Sequence, residues 1–126
     1  MIILKWRIYI NDNHEFNALI NIVINALEDI KATDLEVFTV SDITPLFDYV
    51  IIATVASGRQ SRAATIKIQE DVKSLGEKVL GVEGLRDGGW VLIDIGDVVL
   101  HIMQPDIRSF YKLEELWSHN QKNTAD

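Results

Sequence analysis

Two apolar runs separated by four residues limit this chain's fold more than any other feature. Trp90-Val91-Leu92-Ile93 and Val98-Val99-Leu100-His101-Ile102-Met103 flank the break Asp94-Ile95-Gly96-Asp97. Such a break has the chemistry of a tight hairpin. The strands it joins are apolar at successive positions, so each face of the hairpin must meet something. One face can meet the chain's own helices. The other needs a second cover, either more of this chain or a partner.

Two registers are open. A two-residue loop, Ile95-Gly96, pairs Asp94 with Asp97 and puts Trp90, Leu92, Val99 and His101 on one face. It also asks a β-branched residue to take part in a primed turn, where positive φ is costly. A three-residue loop, Asp94-Ile95-Gly96, gives the left-handed position to Gly96. It is the preferred reading. It sets Ile93 opposite Asp97, places Trp90 beside Leu100, and gathers Val91, Ile93, Asp97, Val99, His101 and Met103 on one face. Flexible Gly88-Gly89 precedes Trp90 and would let it reach past an edge. Trp90 as a contact residue and Trp90 as a plug closing the core both stand.

The rest of the chain supplies partners for the hairpin. At 126 residues it is long enough for one domain with its own core. Trp6, Ile8 and Ile10 alternate with Lys5, Arg7 and Tyr9, a period-two signal for an edge strand or an arm within an N-terminal extension, residues 1–13. Asn11-Asp12-Asn13 offers helix caps. From His14 to Lys31, Phe16, Leu19, Ile20, Val23, Leu27 and Ile30 recur at helical spacing. Leu35–Val40 and Tyr49–Thr54 read as strands, and the short loop between them predicts antiparallel pairing. A second helix spans Arg59 to Leu75, opened by Ser57 and stopped by Gly76. Lys78–Val82 reads as a strand, and the strand–helix–strand order implies a parallel, right-handed crossover. After the hairpin, Asp106 is the expected cap of a last helix, Ile107–Trp117, with Phe110, Leu113, Leu116 and Trp117 along one side. The body, 14–118, is thus a single α/β domain with a mixed sheet of about five strands and flanking helices, followed by a polar tail, 119–126.

Composition narrows the chemistry. There is no cysteine, which removes disulfides, thiolate metal sites and cysteine nucleophiles, and suits a reducing compartment. The net charge is -7, so phosphate backbones repel the chain while a basic protein attracts it. No apolar stretch reaches a membrane span of roughly 20 residues. The N-terminus lacks the pattern of a signal or transit peptide. Asp94, Asp97 and His101 invite a metal reading. Asp97 and His101, however, lie about 13 Å apart along a strand at roughly 3.3 Å per residue, so turn-forming aspartates explain the pattern better. Ser57-Gly58-Arg59 starts a helix without a full phosphate-loop motif, which favours capping for Ser57 and solvent for Arg59 and Arg62. His14, His101 and His119 have no metal-ligand spacing.

The segments DITPLFDYVIIAT, ASGRQ, LGVEGLRDGGWVLIDIGDVVLHIMQP and RSFYKLEELW, in this order, resemble the ribosomal silencing factor, or Iojap-like, family. The resemblance runs from about Phe16 to Trp117. It implies a nucleotidyltransferase-like α/β fold without catalysis, cofactor or metal. It implies a cytoplasmic protein that binds ribosomal large-subunit protein fourteen and blocks subunit joining. Ribosomal RNA contact would be minor, the membrane is not involved, and a homodimer is expected when isolated. The family's contact surface surrounds a tryptophan matching Trp90, with Leu92, Asp97, His101 and Met103 carried over as neighbours. Gly58-Arg59-Gln60 replaces the family's usual Ser-Arg-His, and Val55 replaces a usual glycine, so no role of that histidine is carried over. Two other functions compete. One is a scaffold for a different basic protein. The other is a nucleotidyltransferase, which would need a same-strand carboxylate pair that the sequence lacks.

Overall fold

The apolar spacing between residues 19 and 27 folds as a helix because one stripe can be buried along its whole length. In the computed structural model, which describes residues 6–9 and 17–117, this helix is α1, Ala18–Asp29. Asn17 caps it, its side chain accepting from the amide of Ile20 at 2.9 Å. The cap candidates Asn11 to Asn13, the histidines His14 and His119, and the tail 119–126 lie outside the described residues.

Among the described residues six strands form one sheet. They are β1 (Trp6–Tyr9), β2 (Thr33–Thr39), β3 (Tyr49–Thr54), β4 (Gly81–Glu83), β5 (Trp90–Asp94) and β6 (Val98–Met103), in the order β1-β2-β3-β6-β5-β4. The five strands of the body are present, and β1 adds a sixth by pairing parallel to β2. β2 and β3 are antiparallel, as the short connection requires. β3 is buried at every position and sits inside the sheet. The remaining helices are α2, Gly58–Ser74, and α3, Pro105–Tyr111.

Three expectations change. After α2 the chain returns parallel to β3, as the strand–helix–strand order implies, but not beside it. It builds β4, β5 and β6 as an antiparallel meander, and β6 takes the parallel place next to β3. β4 runs in the direction of β3 with β6 and β5 between them, and it is shorter than Lys78–Val82 suggested. The last helix is capped at Gln104, with Pro105 at its first turn and Asp106 inside it rather than before it. It breaks at Lys112, which is left-handed at φ 49, and residues 113–117 resume a helical turn.

The hairpin register is the largest correction. Asp94 pairs with Val99, Leu92 with His101 and Trp90 with Met103. The closing pair is Ile95 and Val98, joined by a 2.9 Å backbone bond, so the loop is Gly96-Asp97. Positive φ falls on Gly96 (φ 89), the residue that tolerates it, and Ile95 stays buried just past the end of β5. The Asp94 carboxylate accepts from the Gly96 amide at 2.9 Å, which holds the turn without moving Ile95 into it. The shift from the three-residue loop is an odd number of residues, so it exchanges the faces of β6 relative to β5.

Two apolar layers result. On one face α1 and α2 cover Val37, Ile51, Val91, Ile93, Leu100 and Ile102. On the other, Phe38, Val40, Val50, Ile52 and Met103 form a smaller core. Ile107 of α3 and Leu113 and Trp117 from the segment after it close that core. Phe110 and Leu116, expected on the same buried side, are exposed instead. In α3 it is Arg108 that faces the sheet, and the break at Lys112 interrupts the helical spacing that joined Phe110 to Leu113 and Leu116. This second cover is incomplete, and it ends over the hairpin.

Candidate functional site

Residues of alternate strand positions line the uncovered part of that face. The registers place Glu36, Ile52, His101, Leu92 and Glu83 in one row across β2, β3, β6, β5 and β4. At the β2 and β3 end of the row Glu36 and Ile52 are buried. At the hairpin end Leu92 and His101 are half-buried and Glu83 is exposed. A shallow depression of about 200 Å3 opens there, lined by Glu83, Gly84, Trp90, Leu92 and His101.

Trp90 sits at the mouth of β5, diagonal to His101. Its indole Nε1–H donates to His101 Nδ1 at 3.0 Å. On its other side lies the ring of Tyr111, with centroids 4.9 Å apart, and Phe110 stands edge-on to Tyr111 at 4.9 Å. Phe110 is 78% exposed and Tyr111 55%. An aromatic ridge therefore runs from the sheet onto α3. Helical spacing sets Phe110 on one side of the last helix with Leu113, Leu116 and Trp117 and does not single out Tyr111. The only signal available was the aromatic pair Phe110-Tyr111 next to a charged helix end.

His101 is neutral in this arrangement. A ring nitrogen that accepts the indole proton carries none of its own, so the imidazole proton resides on Nε2. Burial pushes the pKa of His101 from 6.5 down to about 4.

The loop before Trp90 is firmly held, contrary to the flexibility expected of Gly88-Gly89. Both glycines are buried. The Gly88 carbonyl accepts from Ser61 Oγ at 2.6 Å and from Gln104 Nε2 at 3.2 Å. The Gln104 amide donates to the Gly89 carbonyl at 2.9 Å. Trp90 is thus delivered to the face by a pinned loop.

Of the five residues expected at the site, Trp90, Leu92 and His101 come together on the open face. Met103 shares the face but is fully buried in the second core, so it supports Trp90 from below and offers no surface. Asp97 is exposed but lies at the hairpin tip, four residues before His101 and up to about 13 Å from it at roughly 3.3 Å per residue. There its carbonyl accepts from the amides of Asp48 (2.8 Å) and Tyr49 (3.0 Å). Ser57 caps α2, with Oγ accepting from the Gln60 amide at 3.1 Å, and Arg59 and Arg62 are exposed. Among the described residues no group of three or more His, Asp or Glu side chains is placed to hold a metal ion. None of the described helices is long and apolar enough to cross a membrane.

One buried charged cluster was not foreseen. Arg108 of α3 reaches the Glu36 carboxylate, the Asp34 carbonyl (2.5 Å) and the Thr54 hydroxyl (2.8 Å), while its Nε donates to Glu114 at 3.2 Å. An arginine and two glutamates scattered over the sequence carry no local pattern that would pair them.

Fold and face together define a single α/β domain with a mixed sheet, whose open surface is apolar and aromatic with a rim of carboxylates. The family model described as "Ribosomal silencing factor during starvation" matches residues 13–126. The ribosomal silencing factor RsfS of Chromobacterium violaceum is 40% identical over 111 residues, 88% of this chain and 91% of that protein. A crystal structure from the same organism superimposes with a TM-score of 0.79 at 41% identity, covering 83% of this chain and 88% of that one. The mouse protein named "Mitochondrial assembly of ribosomal large subunit protein 1" is 28% identical over 102 residues, 79% of this chain and 45% of that protein. The chain belongs to the ribosomal silencing factor family.

Proposed function

We propose that this silencing factor docks on ribosomal large-subunit protein fourteen through the Trp90–Leu92–His101 face, and that the docked domain stands in the path of the small subunit. The observation that carries the reading is Trp90 itself. It is a large, half-open aromatic side chain, fixed by a hydrogen bond to His101 and by ring contacts with His101 and Tyr111 before any partner arrives. An anchor held in its bound pose loses little entropy on association, and tryptophan is enriched where truncation is most costly.

Charge supports the choice of partner. The chain carries a net charge of -7. Glu83 and Asp94 are exposed beside the depression, and Asp97 is exposed at the hairpin tip. Such a rim steers a basic protein surface toward the apolar centre. The name of the mouse relative ties a related chain to the large subunit. Steric exclusion requires shape and affinity and no chemistry, so the domain acts without catalysis, cofactor or metal. In this reading it works in the cytoplasm as a translational repressor, touches ribosomal RNA little and forms a homodimer when isolated.

Co-sedimentation with purified large subunits tests the proposal. Trp90→Ala, in a protein that keeps its fold, is expected to weaken binding by about 2 kcal/mol, or roughly 30-fold. Addition of wild-type protein is expected to reduce the joining of small subunits. Wild-type affinity in the variant removes Trp90 from the interface, and joining that proceeds undisturbed removes the function.

A further inference from the structure

α3 is an unusual cover. It has seven residues, begins with Pro105 and lacks a side-chain cap bond. A helix this short is unstable alone and takes its position from tertiary contacts. Its buried residue is not apolar. Arg108 is 7% exposed, whereas Phe110 and Tyr111 point outward and Ile107 is half-buried. A charged knob therefore seats α3 on the sheet.

The seat has direction. Arg108 Nη2 meets the Glu36 carboxylate on β2, and Nη1 meets the Asp34 carbonyl and the Thr54 hydroxyl at the end of β3. Nε holds Glu114 beyond the break at Lys112. A planar guanidinium with partners on two strands and on the following segment fixes rotation as well as distance. An apolar side chain in the same hole would let the helix roll. One turn further on, at i+3, is Tyr111, the residue whose ring lies against Trp90.

We propose that Arg108 is a positioning residue of the docking face. It sets the pose of α3 so that Tyr111 braces Trp90, and the aromatic ridge of Trp90, Tyr111 and Phe110 forms the second wall of the surface. The proposal rests on the docking reading given above. It separates two roles that a buried ion pair can play. For stability alone, such a pair is often replaceable by apolar residues of similar volume. For pose, it is not.

The test uses the full chain with three changes. They are Arg108→Met combined with Glu36→Leu, Arg108→Lys, and Tyr111→Ala. Amide exchange over residues 105–112, the Trp90 indole N–H resonance (assigned with Trp90→Phe) and affinity for purified large subunits are measured on each. The double variant is expected to keep the protection of the sheet amides. Its α3 amides exchange faster, its Trp90 resonance shifts and its affinity falls roughly tenfold. Arg108→Lys keeps the charge but not the fork and is expected not to restore affinity. Tyr111→Ala, at an exposed position, is expected to lower affinity without disturbing α3 exchange. A folded double variant with wild-type affinity overturns the proposal, as does full restoration by lysine. Wild-type protein that does not bind large subunits overturns the docking reading and the docking role of Arg108 with it. The exchange and resonance data still report whether Arg108 sets the pose of α3.

Discussion

The indole N–H of Trp90 donates to Nδ1 of His101 across the β5–β6 pair at 3.0 Å, and the bond exists only while His101 is neutral. The two residues are diagonal neighbours on one sheet face, since Trp90 is opposite Met103 and His101 opposite Leu92. The orientation of the anchor is thereby tied to the protonation of a half-buried imidazole.

Acid is expected to weaken the fold through this residue. In the unfolded chain His101 takes up a proton near its ordinary value of 6.5, while burial holds the folded value at about 4. Its contribution to stability is therefore complete above pH 6.5 and is lost as the pH falls toward 4. The full effect is on the order of 3 kcal/mol, of which about 2 is gone by pH 5. Urea unfolding at pH 7.5 and pH 5 checks this with His101→Gln as the reference. The wild type should lose more stability than the variant over that interval. An equal loss in both would show that His101 is not the group responsible.

The loop that delivers Trp90 tolerates no side chain at Gly84. A Cβ there would lie 2.1 Å from the Trp90 carbonyl oxygen, and the residue has φ +84. Backbone would have to move, so Gly84→Ala is expected to cost about 3 kcal/mol or more and to displace Trp90. Gly81, three residues earlier, has open space around its Cβ position. Gly81→Ala should stay within about 0.5 kcal/mol of wild type. Thermal unfolding and the Trp90 indole resonance distinguish the two. Similar melting of both variants would refute the close approach.

The start of α2 gives a third expectation. Ser57 Oγ accepts from the Gln60 amide at 3.1 Å. The Gln60 side chain accepts from the Ala56 amide (2.6 Å) and donates to the Ile30 carbonyl (2.7 Å) just past α1. Ser57→Ala is expected to destabilise by about 1 kcal/mol, a drop of roughly 5 °C in Tm, with Ser57→Asp restoring most of it. No change in Tm for Ser57→Ala would mean that solvent replaces the cap.

Much of the architecture was legible in the sequence because its signals are local. The stripe of Leu19, Ile20, Val23 and Leu27 and the apolar run of β3 name their elements directly. Gly76 is an equally local stop. The amides of Gly76 and Glu77 close the end of α2 on the carbonyls of Lys73 and Val72 at 3.0 and 3.1 Å. The candidate site was legible in part. Trp90 stood out from its residue type and place at the strand's mouth, Leu92 and His101 came from the family resemblance, and the face grouping the three appeared only in the less favoured register.

What the sequence by itself determined is therefore the set of elements, the presence of a hairpin with two apolar faces, and the lack of cysteine chemistry. Those follow from periodicity and residue type, which act over a few positions. Tertiary structure decided the rest. Burial of Ile95 in the core under the helices held it out of the loop, which moved the turn to Gly96-Asp97 and exchanged the faces of β6. Met103 became floor rather than surface because α3 and the segment after it close over that side of the sheet. Arg108 found Glu36 across 72 residues. Contacts between distant segments are settled by how the layers fill space and by which buried charges find partners, and no stretch of neighbouring residues encodes either alone.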